Sequence, residues 1–292
     1  MSIIFATRRG FLYQDRFAVL LYLQQLQAKK ISEFYIDFPV PPRKSLDIRL
    51  LDIEKNEHIY EVKSGEEFKK DKKKKESSEV RDAFINLKEY AGTNQSAQLH
   101  LIIRKGFRGS ITAYLDRLTN VKSHSFSQQS TKQSASWLHS KLRLPGISSA
   151  SGMYDFCQKV DLTDSADDEC NNENDPFPEI DDTVRVAIDD LSNALGFSSA
   201  HSEYPADMLM FQLYHDCQLL AGTGKNINDI FKKAITDFFV QRKALDERYT
   251  RNASGQRDTS VIRSDVVAKL DGYLGLTAQP GLPLTNLAKI EN

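Results

Sequence analysis

A chain of 292 residues can bury a sizeable core, as one large domain or, as expected here, two smaller ones. Its hydrophobic share of 40% and charged share of 27% are those of an average soluble protein. The longest apolar runs, such as 17–23, are far too short for a bilayer span, which excludes a membrane-spanning class. No basic segment leads into an apolar stretch at the N-terminus, so a cytoplasmic location is expected. Cys157, Cys170 and Cys217 are odd in number and lack paired spacing, which argues against both a disulfide framework and a structural zinc site. The net charge of -1 conceals an asymmetry: residues 1–146 hold 26 of the 39 basic but 16 of the 40 acidic side chains. A basic half beside an acidic half suggests an anionic partner for the first.

In chain order, residues 11–29 are free of Gly and Pro after Gly10 and repeat apolar side chains at helical spacing, which predicts a helix. Residues 32–40 are aromatic and β-branched and stop at Pro41 and Pro42, as a strand would. Residues 45–53 and 57–65 flank the polar Glu54-Lys55-Asn56, an arrangement expected of a β-hairpin. After a lysine-rich segment, residues 78–92 suit a helix with Val80, Phe84 and Leu87 on one face and Gly92 as its stop. A strand at 98–106 and a short helix at 110–118 follow. The composition then turns to Ser and Gln, and residues 161–182 are strongly acidic. Residues 147–183 are therefore expected to form a linker. Beyond it, helices are predicted at 184–195, 206–221, 227–249 and 264–274, forming a small helical C-terminal domain over 184–292.

Within the predicted hairpin, Asp47 lies on one strand, and Glu61 and Lys63, two residues apart, share a face of the next. Two carboxylates and a lysine supply what phosphodiester hydrolysis needs: hard oxygen ligands for Mg²⁺ or Mn²⁺, an acidified water and positive charge for the transition state. Asp47, Glu61 and the backbone carbonyl of Val62 would hold the metal, and Lys63 would orient the water or stabilise the developing charge. Glu-x-Lys alone is common among solvent-facing strand residues.

Its position in the order helix, strand, strand, strand, helix, strand makes the first 146 residues resemble the PD-(D/E)XK nuclease superfamily, in which the acid, the second acid and the lysine occupy these strands. The nominal proline is absent, because Leu46 precedes Asp47. The resemblance implies an α/β restriction-endonuclease-like core (α-β-β-β-α-β) followed by the helical domain, and a Mg-dependent deoxyribonuclease. More narrowly, residues 9–23, with LDIRL and YEVKSG at this distance, are similar to the double-stranded-DNA endonuclease domain of bacterial anti-phage effectors, including CBASS and Lamassu-type systems. That likeness spans about residues 8–120. It implies a defence effector acting on double-stranded DNA as a homo-oligomer or beside SMC-like ATPase subunits, with the Lamassu arrangement preferred. Some branches place a first-helix side chain at the metal, so Gln14 or Asp15 is a candidate, and Gln14 fits the family's pattern better.

Lys69, Lys70, Lys72, Lys73, Lys74 and Lys75 follow the catalytic strand, where they could contact DNA phosphates or remain a solvated charge run. Arg8 and Arg9 are open between phosphate binding and exposed tail charge. Gly222-Thr223-Gly224-Lys225 is not a phosphate-binding loop, because Leu219 and Asn226 stand where that pattern needs Gly and Ser or Thr. The six histidines have no zinc-ligand spacing. A non-catalytic DNA-binding or adaptor subunit, or an RNase or exonuclease on the same scaffold, is the competing reading.

Overall fold

The computed structural model describes residues 3–40, 44–63, 76–103, 108–164, 178–197, 205–250 and 259–273. Helix α1 (Ile3–Gln27) leads into three antiparallel strands, β1 (Ile31–Val40), β2 (Lys44–Asp52) and β3 (Glu57–Lys63). The turn between β2 and β3 is set by Asp52, whose carboxylate accepts the Asn56 backbone N–H at 2.8 Å, while Lys55 takes a left-handed φ of 67°. Helix α2 (Glu76–Thr93) then carries the chain back to β4 (Gln98–Ile103), which runs parallel to β3 as a crossover of this length allows. This is the element order expected from the sequence, although α1 runs through Gly10 rather than starting after it.

Three helices, α3 (Arg108–Ser123), α4 (Gln129–Leu142) and α5 (Ala150–Lys159), precede a fifth strand, β5 (Val160–Asp164), parallel to β4. The sheet order is β1-β2-β3-β4-β5. Here the sequence expectation needs correction, because α5 and β5 fall inside the segment 147–183 expected to be a linker. Ser149 caps α5, its hydroxyl oxygen accepting the Gly152 N–H at 3.1 Å. Composition concealed α4 too. Its inward stripe is Thr131, Ser134, Ala135, Leu138 and Leu142, a helical repeat built partly of small and hydroxyl side chains.

Helices α6 (Pro178–Ala194), α7 (Ala206–Leu220), α8 (Asn228–Thr250) and α9 (Thr259–Tyr273) lie within a few residues of the predicted positions. They do not stand apart as a separate C-terminal domain. Ile180, Val184, Leu209, Leu213, Phe231, Phe239 and Val266 share one buried cluster with Tyr22 and Leu23 of α1 and Phe34, Ile48, Tyr60 and Val62 of the sheet. On the other sheet face, α2–α5 cover Ile59, Leu99, Leu101, Ile103 and Val160. Alternation along each strand thus feeds two cores, and the sheet is sandwiched between helical layers.

The Gly222–Lys225 segment lies between α7 and α8 and closes the sheet edge. Gly222 N–H donates to Ile36 O at 3.3 Å and Ile227 N–H to Phe34 O at 2.9 Å, while the Asn226 side chain accepts the Phe34 N–H at 3.0 Å. Gly222 has φ +71°, and a Cβ there would stand 3.2 Å from Asp37 Oδ2. Its glycines therefore serve a covered β1 edge.

Candidate metal centre on the α2 face of the sheet

The described pairing of β2 with β3 ends at Ile48 and Tyr60. One step further the Asp47 carboxylate accepts the Val62 backbone N–H, Oδ2 to N 2.7 Å. That bond fixes Asp47 against β3 beside the two side chains that strand alternation turns the same way. Lys63 Nζ stands 3.1 Å from Asp47 Oδ2 and 2.9 Å from Glu61 Oε2, so the structure brings the three predicted residues into one cluster. Glu61 is 0% exposed, Asp47 13% and Lys63 24%, which leaves the lysine side open to an incoming group.

Helix α2 supplies a partner that the sequence reading missed. Asn86 donates its side-chain N–H to Glu61 Oε1 at 3.2 Å. Four residues on, Tyr90 donates its hydroxyl to Glu57 Oε1 at 2.7 Å, and Glu57 also accepts from Arg49 and Asn94. Residues four apart lie on one helix face and residues four apart on a strand also share a face, so Asn86 and Tyr90 grip Glu61 and Glu57 in register. The available signal was a pair of polar residues at i and i+4 bordering the apolar stripe of α2.

Burial first, and the neighbouring Asp47 charge second, push the Glu61 carboxyl up to about 7, against the downward pull of Lys63 and Asn86. Burial alone would lower the Lys63 pKa, but Asp47 and Glu61 outweigh it and hold the ammonium above the ordinary lysine range. Lys63 is thus the cation that the two carboxylates share.

Glu61 Oε2 is fully buried, and its close partner among the described residues is the Lys63 ammonium at 2.9 Å. A buried carboxylate beside a second carboxylate, each oxygen able to accept more than one partner, is a donor set that fits a hard divalent cation. Among the described residues no third His, Cys, Asp or Glu joins them as a ligand, so water and substrate oxygen would complete the coordination, as is usual for Mg²⁺.

The other predicted residues lie elsewhere or outside the described set. Gln14 is half-buried on α1, which packs on the Tyr60 and Val62 face of the sheet, and no hydrogen bond or ion pair among the described residues joins it to the three. Its neighbour Asp15 is buried towards α7; burial raises its pKa to about 7, opposed by a hydrogen bond with Gln218. The side chain of Arg9 and all of Lys69, Lys70, Lys72, Lys73, Lys74 and Lys75 are outside the described residues. Among the described residues no helix is long and apolar enough to cross a membrane.

No protein-family model matches the chain. No curated protein matches it either. Among solved structures it is similar to the Acinetobacter baumannii Cap4 SAVED/CARF-domain containing receptor, in the structure with the cyclic trinucleotide 2'3'3'-cAAA, at 12% identity and TM-score 0.48 over 80% of this chain and 45% of that one. The same receptor described without a ligand gives 15% identity and TM-score 0.47, covering 81% of this chain and 47% of that one. With 3'3'3'-cAAA the values are 11% and 0.49, covering 92% and 59%. The chain therefore spans roughly half the length of the structures it matches, and the functional reading rests on its own side chains.

Proposed function

We propose that this chain is a metal-dependent nuclease with a restriction-endonuclease-like core that hydrolyses phosphodiester bonds of double-stranded DNA. The observation that carries the reading is the fully buried Glu61 carboxylate held beside Asp47 and Lys63 at the end of the β2–β3 pair. Asp47 and Glu61 would hold Mg²⁺ or Mn²⁺, with the Val62 carbonyl as a further candidate ligand. Bound there, the ion would supply Lewis-acid polarisation of the phosphate and acidify a water. Asp47 is oriented by the Val62 N–H, and Asn86 fixes Glu61 by its other oxygen. Lys63, permanently charged at neutral pH, stabilises the extra negative charge that develops on the phosphoryl oxygens. The resemblance to anti-phage effector nucleases supports a defence role, controlled by self-association or by SMC-like ATPase partners.

The test is cleavage of supercoiled and linear plasmid at low salt over a range of protein concentrations, with Mg²⁺, Mn²⁺ or EDTA. Cutting should require metal, and Lys63→Ala and Asp47→Ala should each reduce it by at least about a hundredfold. Folded protein that binds DNA but never cuts it, alone or with its neighbouring operon products, would instead establish a non-catalytic DNA-binding subunit. Cutting of RNA alone, or from ends only, would move the substrate assignment.

A further inference from the structure

The six histidines are scattered along the chain, yet β3 and β4 set two of them side by side. His58 Nδ1 and His100 Nε2 face each other at 3.3 Å, with ring centroids 5.5 Å apart and planes within 20°. Strand alternation puts them on the sheet face opposite Glu61. The outer nitrogen of each ring turns to a carboxylate: His58 Nε2 is 3.6 Å from Asp52 Oδ2 on β2, and His100 Nδ1 is 3.8 Å from Asp161 Oδ2 on β5. Lys122 approaches the other oxygen of Asp161 at 3.2 Å.

A carboxylate behind an imidazole favours the tautomer whose N–H points towards it. With both rings so oriented, both inner nitrogens present lone pairs to one gap. Opposed lone pairs at that distance repel unless a proton, as in an N–H···N hydrogen bond, or a metal ion lies between them. Two imidazole nitrogens bound at about 2.0–2.1 Å to one tetrahedral ion stand about 3.3–3.4 Å apart, which is the spacing found. Tyr60 stacks on His100 at 4.4 Å and 13°, fixing its plane. His58 is 18% exposed and His100 14%, so the pair is partly exposed.

We infer that His58 Nδ1 and His100 Nε2 bind a divalent transition-metal ion of the zinc class, with water completing its coordination, on the sheet face opposite the acidic centre. Among the described residues no third His, Cys, Asp or Glu is grouped with the pair, which makes the site exchangeable rather than a closed structural one. An ion there ties β3 to β4 behind Glu61.

The test uses the full chain, stripped with EDTA and titrated with Co²⁺, read by visible absorption, and with Zn²⁺, read by calorimetry. One ion should bind per chain in the presence of excess Mg²⁺, because the hard cation prefers oxygen. Binding should be unchanged in Glu61→Gln and fall by at least about tenfold in His58→Ala and in His100→Ala. Imidazole nitrogen NMR shifts of His58 and His100 in the unsubstituted chain give a readout free of any folding defect; both should move on adding Zn²⁺. Rings that respond to pH but not to Zn²⁺, or binding lost in Glu61→Gln and retained in the histidine variants, would overturn the assignment.

Discussion

Glu61 is buried without full compensation, and its charge state is the most sensitive quantity in the site. Its folded pKa of about 7 lies above the ordinary glutamate value of 4.5, so the folded protein holds a proton there that the unfolded chain has released. In metal-free protein this group's stabilising contribution is full below about pH 4.5, the unfolded value, and is lost as pH rises from there through about 7. Thermal unfolding in EDTA should therefore give a lower Tm at about pH 8 than at about pH 6. Asp15, raised to about 7 by its own burial, contributes with the same sign, so Glu61→Gln and Asp15→Asn should each remove part of the fall. Under the proposed function activity should run the other way, because Glu61 would have to be ionised to ligate a metal: cleavage should rise with pH through about 7, with the midpoint falling as Mg²⁺ increases. Asn86→Ala removes a hydrogen bond that favours the Glu61 carboxylate. The midpoint of the pH–rate profile should then move up by about one unit, while a merely structural loss would lower the rate equally at every pH.

Between elements, the ties that matter join segments distant in sequence. Arg16 on α1 pairs with Asp181 on α6 through Nε to Oδ1 at 2.8 Å, and Tyr214 on α7 donates its hydroxyl to the same oxygen at 2.7 Å. Both charged groups are nearly buried, at 11% and 6% exposure, so removing Asp181 takes a close anionic partner from Arg16 and the acceptor from the Tyr214 hydroxyl. Asp181→Ala should cost about 1.5–3 kcal/mol in urea unfolding, from the charge-assisted hydrogen bonds lost, without changing the chemistry of the site. A loss near zero would mean that the pair is solvated. The lower helical half was legible because 206–221 and 227–249 carry long apolar repeats. Helix α4 was hidden by the hydroxyl residues on its inner stripe, and β5, only Val160–Asp164, by the acidic run that it opens.

For the whole molecule, the decisive fact is that α1 lies between the sheet and α6–α9, inside one buried cluster. A chain ending after residue 177 would expose that face of α1. It should lose cooperative thermal unfolding and aggregate on size-exclusion chromatography, whereas two independent domains would leave a folded, monodisperse fragment. The sequence alone determined the periodicity of the long helices, the hairpin, the element order through β4 and the common face of Glu61 and Lys63, because each is a property of residues near one another in the chain. Tertiary structure decided the fifth strand, the single packing of both halves, the grip of Asn86 on Glu61 and the meeting of His58 with His100. Those depend on which surfaces are buried against which, and burial is settled by contacts between segments far apart in the chain.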